Sequence, residues 1–567
     1  MQSARKHFES RRAALKSERS SWDTRARDIS EFQFPELGRF TNSPKNDGRS
    51  KRHKIINNMV SRAALVTRAG MLAGLTSPSR PWVRITTADP GLARFQPARV
   101  WLDTVSAAML QAFAVTNTYK SLGKTFMESA LFGTNVLWMN DDVEDIFRFY
   151  NTTWGEFMLG ASSRGDVDSC YREYSMTVWS LAERFGVKNL STETKALYDR
   201  GQYDTWIDVV HLVEPHAEDL EGVGFKLKQF PYREVYYEKG TKVDKFLDVK
   251  GYDHRPFFAP RWDTVSTDIY GAYCPGILAL GDSLELQHHE LLKAKAQEMM
   301  TDPPILAPVE QRMEPINIGP AGVTRYASAD GAASIAPLFN VRFDVEHSRA
   351  SIADIEQRIQ ETFYVDLFRT VMDVRSRSIS TQITAREIDQ LEKEGLIQLG
   401  PVLESFDDEL NDPMIELTFK KMLKNGNFPP PPQDLLGAPL RVEYISTIHQ
   451  AQKLIGLQPF DRVHQFVGAM AQAKGDVVIW DVVDEDQAVR DYADLAGYPA
   501  RLMRAPQDVA AIRQQRQAVV QAQQAAELAN SAADTAKTLS VTETDPSQDT
   551  ALTRIAKMAP RAMAGAR

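Results

Sequence analysis

Cysteine is scarce in this chain. Only Cys170 and Cys274 occur in 567 residues, far apart and without Cys-x-x-Cys spacing. That leaves no disulfide framework and no sulfur-ligated metal site to expect. Two buried thiols in a reducing compartment are the natural reading. Long apolar runs are missing too. A membrane-crossing helix needs about 18–20 consecutive apolar residues. The nearest stretch, 104–119, is uncharged but holds Ser106, Gln111, Thr116 and Asn117, which reads as a core helix. Where a secretory leader would carry its apolar segment, residues 1–30 carry Arg5, Lys6, Arg11, Arg12 and Lys16. Neither a leader nor a membrane partner is therefore expected. The chain also lacks positive charge: 67 basic residues face 75 acidic ones, for a net charge of −8. A protein that grips DNA over its whole surface is basic, because neutralising phosphates supplies most of the affinity. Any contact with nucleic acid is expected to be local and transient.

Catalytic signatures are equally thin. Gly123-Lys124-Thr125 looks like the end of a phosphate-binding loop, but Thr118 stands where its first glycine belongs, and the context is helical. Gly281-Asp282-Ser283 lacks the second glycine of a nucleophile elbow. In His288-His289-Glu290 the two imidazoles are adjacent on a helix and point about 100° apart, a poor pair of metal ligands. Carboxylate pairs such as Asp141-Asp142 and Asp407-Asp408 are expected by chance among 75 acidic residues. No catalytic residue, metal ligand or cofactor is expected, and the chain does not read as an enzyme.

What is present is a globular composition, 43% hydrophobic and 25% charged, with length for about three or four units. The expected class is α+β, mainly helical. Residues 3–30 read as an amphipathic helix carrying both charge signs. A helix over 55–75 is rich in small residues (Ala63, Ala64, Ala69, Gly70, Ala73, Gly74) that allow close helix approach, and 77–81 end it with two prolines. Helices over 99–117 and 119–132 follow. From Asn135 to about Tyr270, β-rich runs at 136–139, 147–150, 207–213 and 234–237 alternate with turn residues, with a helix near 177–186. Asp282 with Glu285 reads as a capping box opening a helix with Leu284/Leu291 and Leu292/Met299 at seven-residue spacing, stopped by Pro303-Pro304. A Gly/Pro-rich module with short strands runs to about Asn340. A second helix then carries Ile352, Ile355, Ile359 and Phe363 on one stripe. Residues 368–381 break periodicity and hold Arg369, Arg375 and Arg377 among serines. Thr384 with Glu387 caps a long helix through Ile388, Leu391, Leu399, Leu403, Phe406 and Leu410, kinked at Gly400-Pro401 and Asp412-Pro413 and ended by Gly426 and 429–432. Residues 441–504 read as helical with short connections. Residues 506–537, Ala/Gln-rich, form a helix too poor in large apolar residues to bury much alone, so packing beside copies of itself is expected. A Ser/Thr/Asp-rich stretch, 540–550, and a basic tail with Arg554, Lys557, Arg561 and Arg567 close the chain.

Several segments together resemble the portal, or head-to-tail connector, family of short-tailed, podovirus-type bacteriophages. They are GLTSPSRPW (74–82), SALFGTNVLWM (129–139), YREYSMTVWSLAERFG (171–186), PFFAPRW (256–262), TDPPILAP (301–308), 384–419 and GNFPPPP (426–432). No single one is catalytic or decisive; their order and spacing make the combination specific. The resemblance implies a portal fold assembled as a twelve-membered ring at one capsid vertex. It implies a wing (1–275 and 382–440), two stem helices (276–301 and 345–367), a clip (302–344), a tunnel loop (368–381), a crown (441–537) and a flexible tail (538–567). It places Arg369, Arg375 and Arg377 in the loop facing the DNA channel, and Arg312 and Arg325 in the clip that docks a packaging motor and then a tail adaptor. The implied partners are copies of the chain, double-stranded DNA held without sequence preference, the terminase large subunit, a tail adaptor, the major capsid protein, and scaffolding or internal core proteins. The implied locations are the head–tail junction of the virion and, during assembly, the host cytoplasm. Two other readings stand beside it. A packaging ATPase would need the phosphate loop that Thr118 breaks. Another connector or tail component would lack the helix–module–helix punctuation.

Overall fold

The computed structural model describes residues 4–40, 52–89, 92, 95–142, 144–216, 229–241, 245–308, 319–320, 322–326, 336–337, 344–373, 398–435, 437–446, 448–449, 466–470, 484, 486–489, 503 and 506–541. Helix α1 (Ala4–Phe32) leads into α2 (Met59–Gly74), strand β1 (Val83–Thr87), α3 (Gln96–Val115) and α4 (Thr118–Phe132). Helix α3 opens with Pro97 in its first turn, where the missing N–H costs nothing. Helix α4 ends at Gly133, whose φ of 83° suits only glycine at low cost; a Cβ there would also lie 2.5 Å from the Gly271 carbonyl oxygen.

The chain then becomes β-rich. Strands β2 (Val136–Asp141) and β3 (Phe147–Thr152) pair antiparallel. Strands β4 (Phe157–Ala161) and β5 (Val167–Thr177) begin a five-stranded antiparallel sheet that continues, after α5 (Val178–Phe185) and α6 (Thr192–Asp199), through β6 (Trp206–Pro215), β7 (Tyr232–Glu238) and β8 (Asp248–Tyr252). Thr177 and Ser191 cap α5 and α6 by accepting backbone N–H bonds from Ser180 and Thr194. All the strands expected between 136 and 237 are present. The sheet is covered on both faces, which explains its long apolar runs. Phe8 and Leu15 of α1 pack on Met158, Val210, Leu212, Val235 and Tyr237, while Leu181 and Phe185 of α5 pack on Val209 and Tyr236. Strand β9 (Phe257–Phe258) returns to β2.

A short helix α7 (Pro275–Leu278) runs almost directly into α8 (Leu280–Thr301). With Pro275 in the first turn the helical path starts early, so Asp282 lies inside α8 and does not cap it, contrary to the expected capping box. Strands β10 (Ile305–Pro308), β11 (Val323–Tyr326) and β12 (Ala336–Pro337) form one sheet in the order β11-β10-β12. Helices α9 (Val345–Thr362) and α10 (Val365–Asp373) follow. Residues 368–373 are thus helical, where an irregular segment was expected from 368, and 374–381 lie outside the described residues; Phe368 and Leu367 have buried faces to dock, which holds the helix together. Residues 398–406 are helical and pass through a π-turn, Asp407–Asn411, into α11 (Asp412–Lys424). The wide turn sits where Pro413 can donate no N–H, so the expected kink takes this form. Strand β13 (Leu440–Tyr444) pairs antiparallel with β1. Residues 441–444 were expected to be helical; the β-branched partners Ile85 and Thr86 and the alternating apolar and polar residues Leu440-Arg441-Val442-Glu443-Tyr444 suit a strand.

Two large apolar clusters share α2 and α4. Met71, Phe126 and Ala130 face one, with Phe368, Phe406 and Met414. Ala63, Ala64, Met127 and Leu131 face the other, with Leu286, Ile352, Ile355, Ile359 and Phe363. Cys170 and Cys274 are buried free thiols, as expected, and burial pushes the Cys274 thiol up to about 12. Residues 498–567 form a separate unit whose described part is mainly α12 (Pro506–Val541). In that helix Val519, Val520 and Leu528 are exposed.

Candidate functional site

The paired helices α8 and α9 are tied to the rest of the chain by polar side chains at their bases. Gln287 of α8 accepts the backbone N–H groups of Ile56 and Asn57 at 2.6 and 2.9 Å and donates back to the Asn57 carbonyl at 2.9 Å. The Asn57 amide donates to Glu290 of α8 at 3.1 Å and to Glu356 of α9 at 2.8 Å, so one residue before α2 holds both helices. Gln33, after α1, donates to the Gly276 carbonyl at 2.7 Å and to Ser283 at 3.1 Å. Asp282 and Glu285, misread as a capping box, together accept Arg358 of α9 at 3.0 and 2.7 Å. The outer side of α8 is a different surface: Leu284, Leu291, Leu292 and Met300 are 39–49% exposed.

The turn between α9 and α10 sets the path of α10, which carries Arg369. Tyr364 takes a left-handed φ of 54°, which costs about 1–2 kcal/mol for a side chain of its kind. The cost is offset by anchors on both sides. Thr67 of α2 donates at 2.8 Å to the Phe363 carbonyl, one of the acceptors a helix end leaves open. Phe368 fills the space over Gly70, where a Cβ would stand 2.3 Å from the Phe368 ring and Cβ. The small residues of α2 thus serve close approach, as expected, and the companion Gly74 admits Ile448 in the same way.

Arg369 is exposed on α10, donating to Gln360 at 3.2 Å and lying 3.8 Å from Asp366. Arg375 and Arg377 lie outside the described residues, as do Arg312, the second capping box at Thr384 and Glu387, and the tail arginines. Arg325 belongs to the edge strand β11, paired in register with Ala307. The described arginines of the expected site are therefore on separate elements: one on a helix, one on a small sheet.

An acidic pocket of about 760 Å³ was not foreseen. Glu404, Asp407, Asp408, Asp412 and Glu416 line it, with Arg441, Tyr444 and His449. Burial is the main cause that lifts the Asp412 carboxyl above its usual range and Tyr444 far above its own; Tyr444 donates to Asp412. His449 bonds Asp407 at 2.7 Å and Ser446 at 2.7 Å, a serine–histidine–carboxylate row. Ser446 is buried, and its oxygen also receives the His449 backbone N–H, so it ends a turn and does not face the pocket. The row ties β13 to the π-turn. Asp407-Asp408 gave the only sequence signal, and it was indistinguishable from chance spacing. Among the described residues no group of His, Cys, Asp and Glu is arranged to hold a metal ion, and no helix is long and apolar enough to cross a membrane.

The sequence model of a family described as bacteriophage head to tail connecting protein matches residues 5–503. The chain belongs to this family. The portal protein of Salmonella phage epsilon15 is 35% identical over 548 residues, covering 96% of this chain and 97% of that protein. The probable portal protein of Bordetella phage BPP-1 is 36% identical over 556 residues, covering 98% of each. A solved structure, the virion of a native gene transfer agent particle, aligns with 72% of this chain and 86% of its own at 9% identity, with a TM-score of 0.32. The family match spans the β-sheets, the helix pair α8–α9 and the small β-module alike. Both phage relatives match this chain over nearly their whole length.

Proposed function

We propose that the chain forms a closed ring of about twelve copies at one capsid vertex, that DNA passes through its centre during packaging and ejection, and that the ring works without catalysing a reaction. The observation that carries this is the match to portal relatives over nearly the whole length. In the reading, α8 and α9 with α7 are the stem (276–301 and 345–367), the β10–β12 module is the clip (302–344), and residues 368–381 are the tunnel loop. Residues 1–275 and 382–440 are the wing and 441–537 the crown. One feature supports it. The partly exposed leucines of α8 are large apolar side chains that a neighbouring copy would cover, each worth about 1 kcal/mol because more than half of each is already buried. A ring closes when such a contact repeats head to tail around an axis.

In the ring, Arg369, Arg375 and Arg377 become circles of positive charge on a net acidic protein. Such circles touch phosphates without reading bases, while the acidic balance keeps DNA sliding, since affinity grows with each phosphate neutralised. Arg312 and Arg325 would mark the surface for the terminase large subunit and then the tail adaptor, with capsid, scaffolding or core proteins around the wing.

The test starts with particle mass and electron-microscope images of the pure protein. Rings with a central hole wide enough for duplex DNA are expected; a monomer at every concentration would overturn the reading. Replacing Arg375 and Arg377 together by alanine should leave rings intact and reduce packaging or DNA retention. Unchanged packaging and retention would remove the loop from the mechanism.

A further inference from the structure

The run Pro429–Pro432 follows α11 and Gly426. Each ring fixes its own φ, and each proline restricts the residue before it to extended ψ, so residues 428–431 have little choice but a polyproline II path. The structure contains no cis peptide bond among its described residues, which keeps the ridge straight. Both ends are held. Phe428 stacks on Phe419 at 5.4 Å, Trp101 donates its indole N–H to the Pro429 carbonyl at 2.9 Å, and Leu435 is buried in the core just beyond. Between these anchors Pro429 and Pro430 are exposed and Pro431 and Pro432 half-buried. A pre-formed ridge with no N–H to offer costs little entropy to bind and presents ring faces and carbonyl oxygens.

A complementary surface exists elsewhere on the chain. Trp179, at the start of α5, is 53% exposed, and Tyr203 and Trp206 are each 39% exposed. Tyr203 stands edge-on to Trp179 at 5.4 Å and to Tyr198 at 5.2 Å. The cluster is rigid: Trp179 donates its backbone N–H to the Tyr203 carbonyl at 3.1 Å, Trp206 pairs in register with Thr177, and Val178 and Leu181 are buried beneath. Edge-on aromatic rings leave slots of the kind that hold proline rings, and indole N–H and phenol O–H groups can donate to proline carbonyls. Pro429 and Pro430 of the ridge and Trp179 of the cluster are exposed in the single chain.

We infer that the ridge Pro429–Pro432 of one copy docks on the aromatic cluster Trp179, Tyr198 and Tyr203 of the next. The contact is heterologous, with a different surface on each side, which is the type that builds rings. It rests on the ring reading and adds to it a defined wing-to-wing contact between neighbours.

The test uses the full chain with the photo-crosslinker p-benzoylphenylalanine in place of Tyr203, its particle mass being measured before irradiation. The expected result is a ring that yields crosslinked pairs of chains, with the link mapped to residues 429–432. Pro430→Ser with Pro431→Ser should cut the crosslink yield about tenfold, the effect of losing one hot-spot side chain or more, with unchanged helix content by circular dichroism. Rings whose crosslinks fall elsewhere, or do not form, would overturn this contact and leave the ring standing. A protein that never leaves the monomer would overturn both.

Discussion

Glu128 shows how much one residue can carry. It lies buried in α4, accepting the Asn135 amide at 3.1 Å, and burial drives its carboxyl up to about 8. The folded chain therefore keeps a proton there that the unfolded chain loses near the ordinary carboxylate value. Stability is highest below that value and falls as pH rises towards about 8. Glu128→Gln keeps the shape and removes the titration. Relative to the variant, the natural chain should lose about 3–5 kcal/mol between pH 4 and pH 9, the size of a shift of several pH units. Urea midpoints at the two pH values check this; a pH-independent difference would refute it. Nothing in the sequence announced Glu128, because a carboxyl's burial depends on elements far from it. Asp282 and Glu285 make the same point in reverse. Their spacing matched a cap, but the chain entered the helix early and both went to Arg358. Arg369 was expected in an irregular segment and stands instead on helix α10. The row from Ser446 to Asp407 was not legible, since its His449 and Asp407 are 42 residues apart and only the fold brings them together.

At the scale of elements, α2 is the hinge of the design. Its small residues were legible because Ala and Gly at helical spacing have few other uses. Their partners were not, since a gap in a helix surface does not say what fills it. Gly70→Ala tests the fit. The new Cβ would overlap Phe368, and α10 would have to shift or strain, at a cost of about 1–3 kcal/mol. Thermal or urea unfolding would show it, and a neutral or stabilising result would mean that α10 is free to move. Strands of 136–237 were legible for the complementary reason: their alternation and turn residues are local. Residues 441–444 failed because a strand that pairs so far away carries little local signature, and tertiary contact outweighs propensity there.

At the scale of the whole molecule, the unit 498–567 offers a direct trial of the assembly. If stem and wing contacts suffice, a chain ending before Pro506 should still form rings by particle mass; loss of every oligomer would place the decisive contacts in α12. The architecture also has a consequence in time. Thr87 and Pro439, at the ends of the paired strands β1 and β13, are bonded across 352 residues. At about 5–20 residues per second of synthesis, β1 waits roughly 20–70 s for its partner to leave the ribosome. A nascent chain cut short anywhere in that interval lacks the second strand and exposes the edge of the first. Truncated products would therefore offer an unpaired strand edge to chaperones and proteases before they could enter the proposed ring.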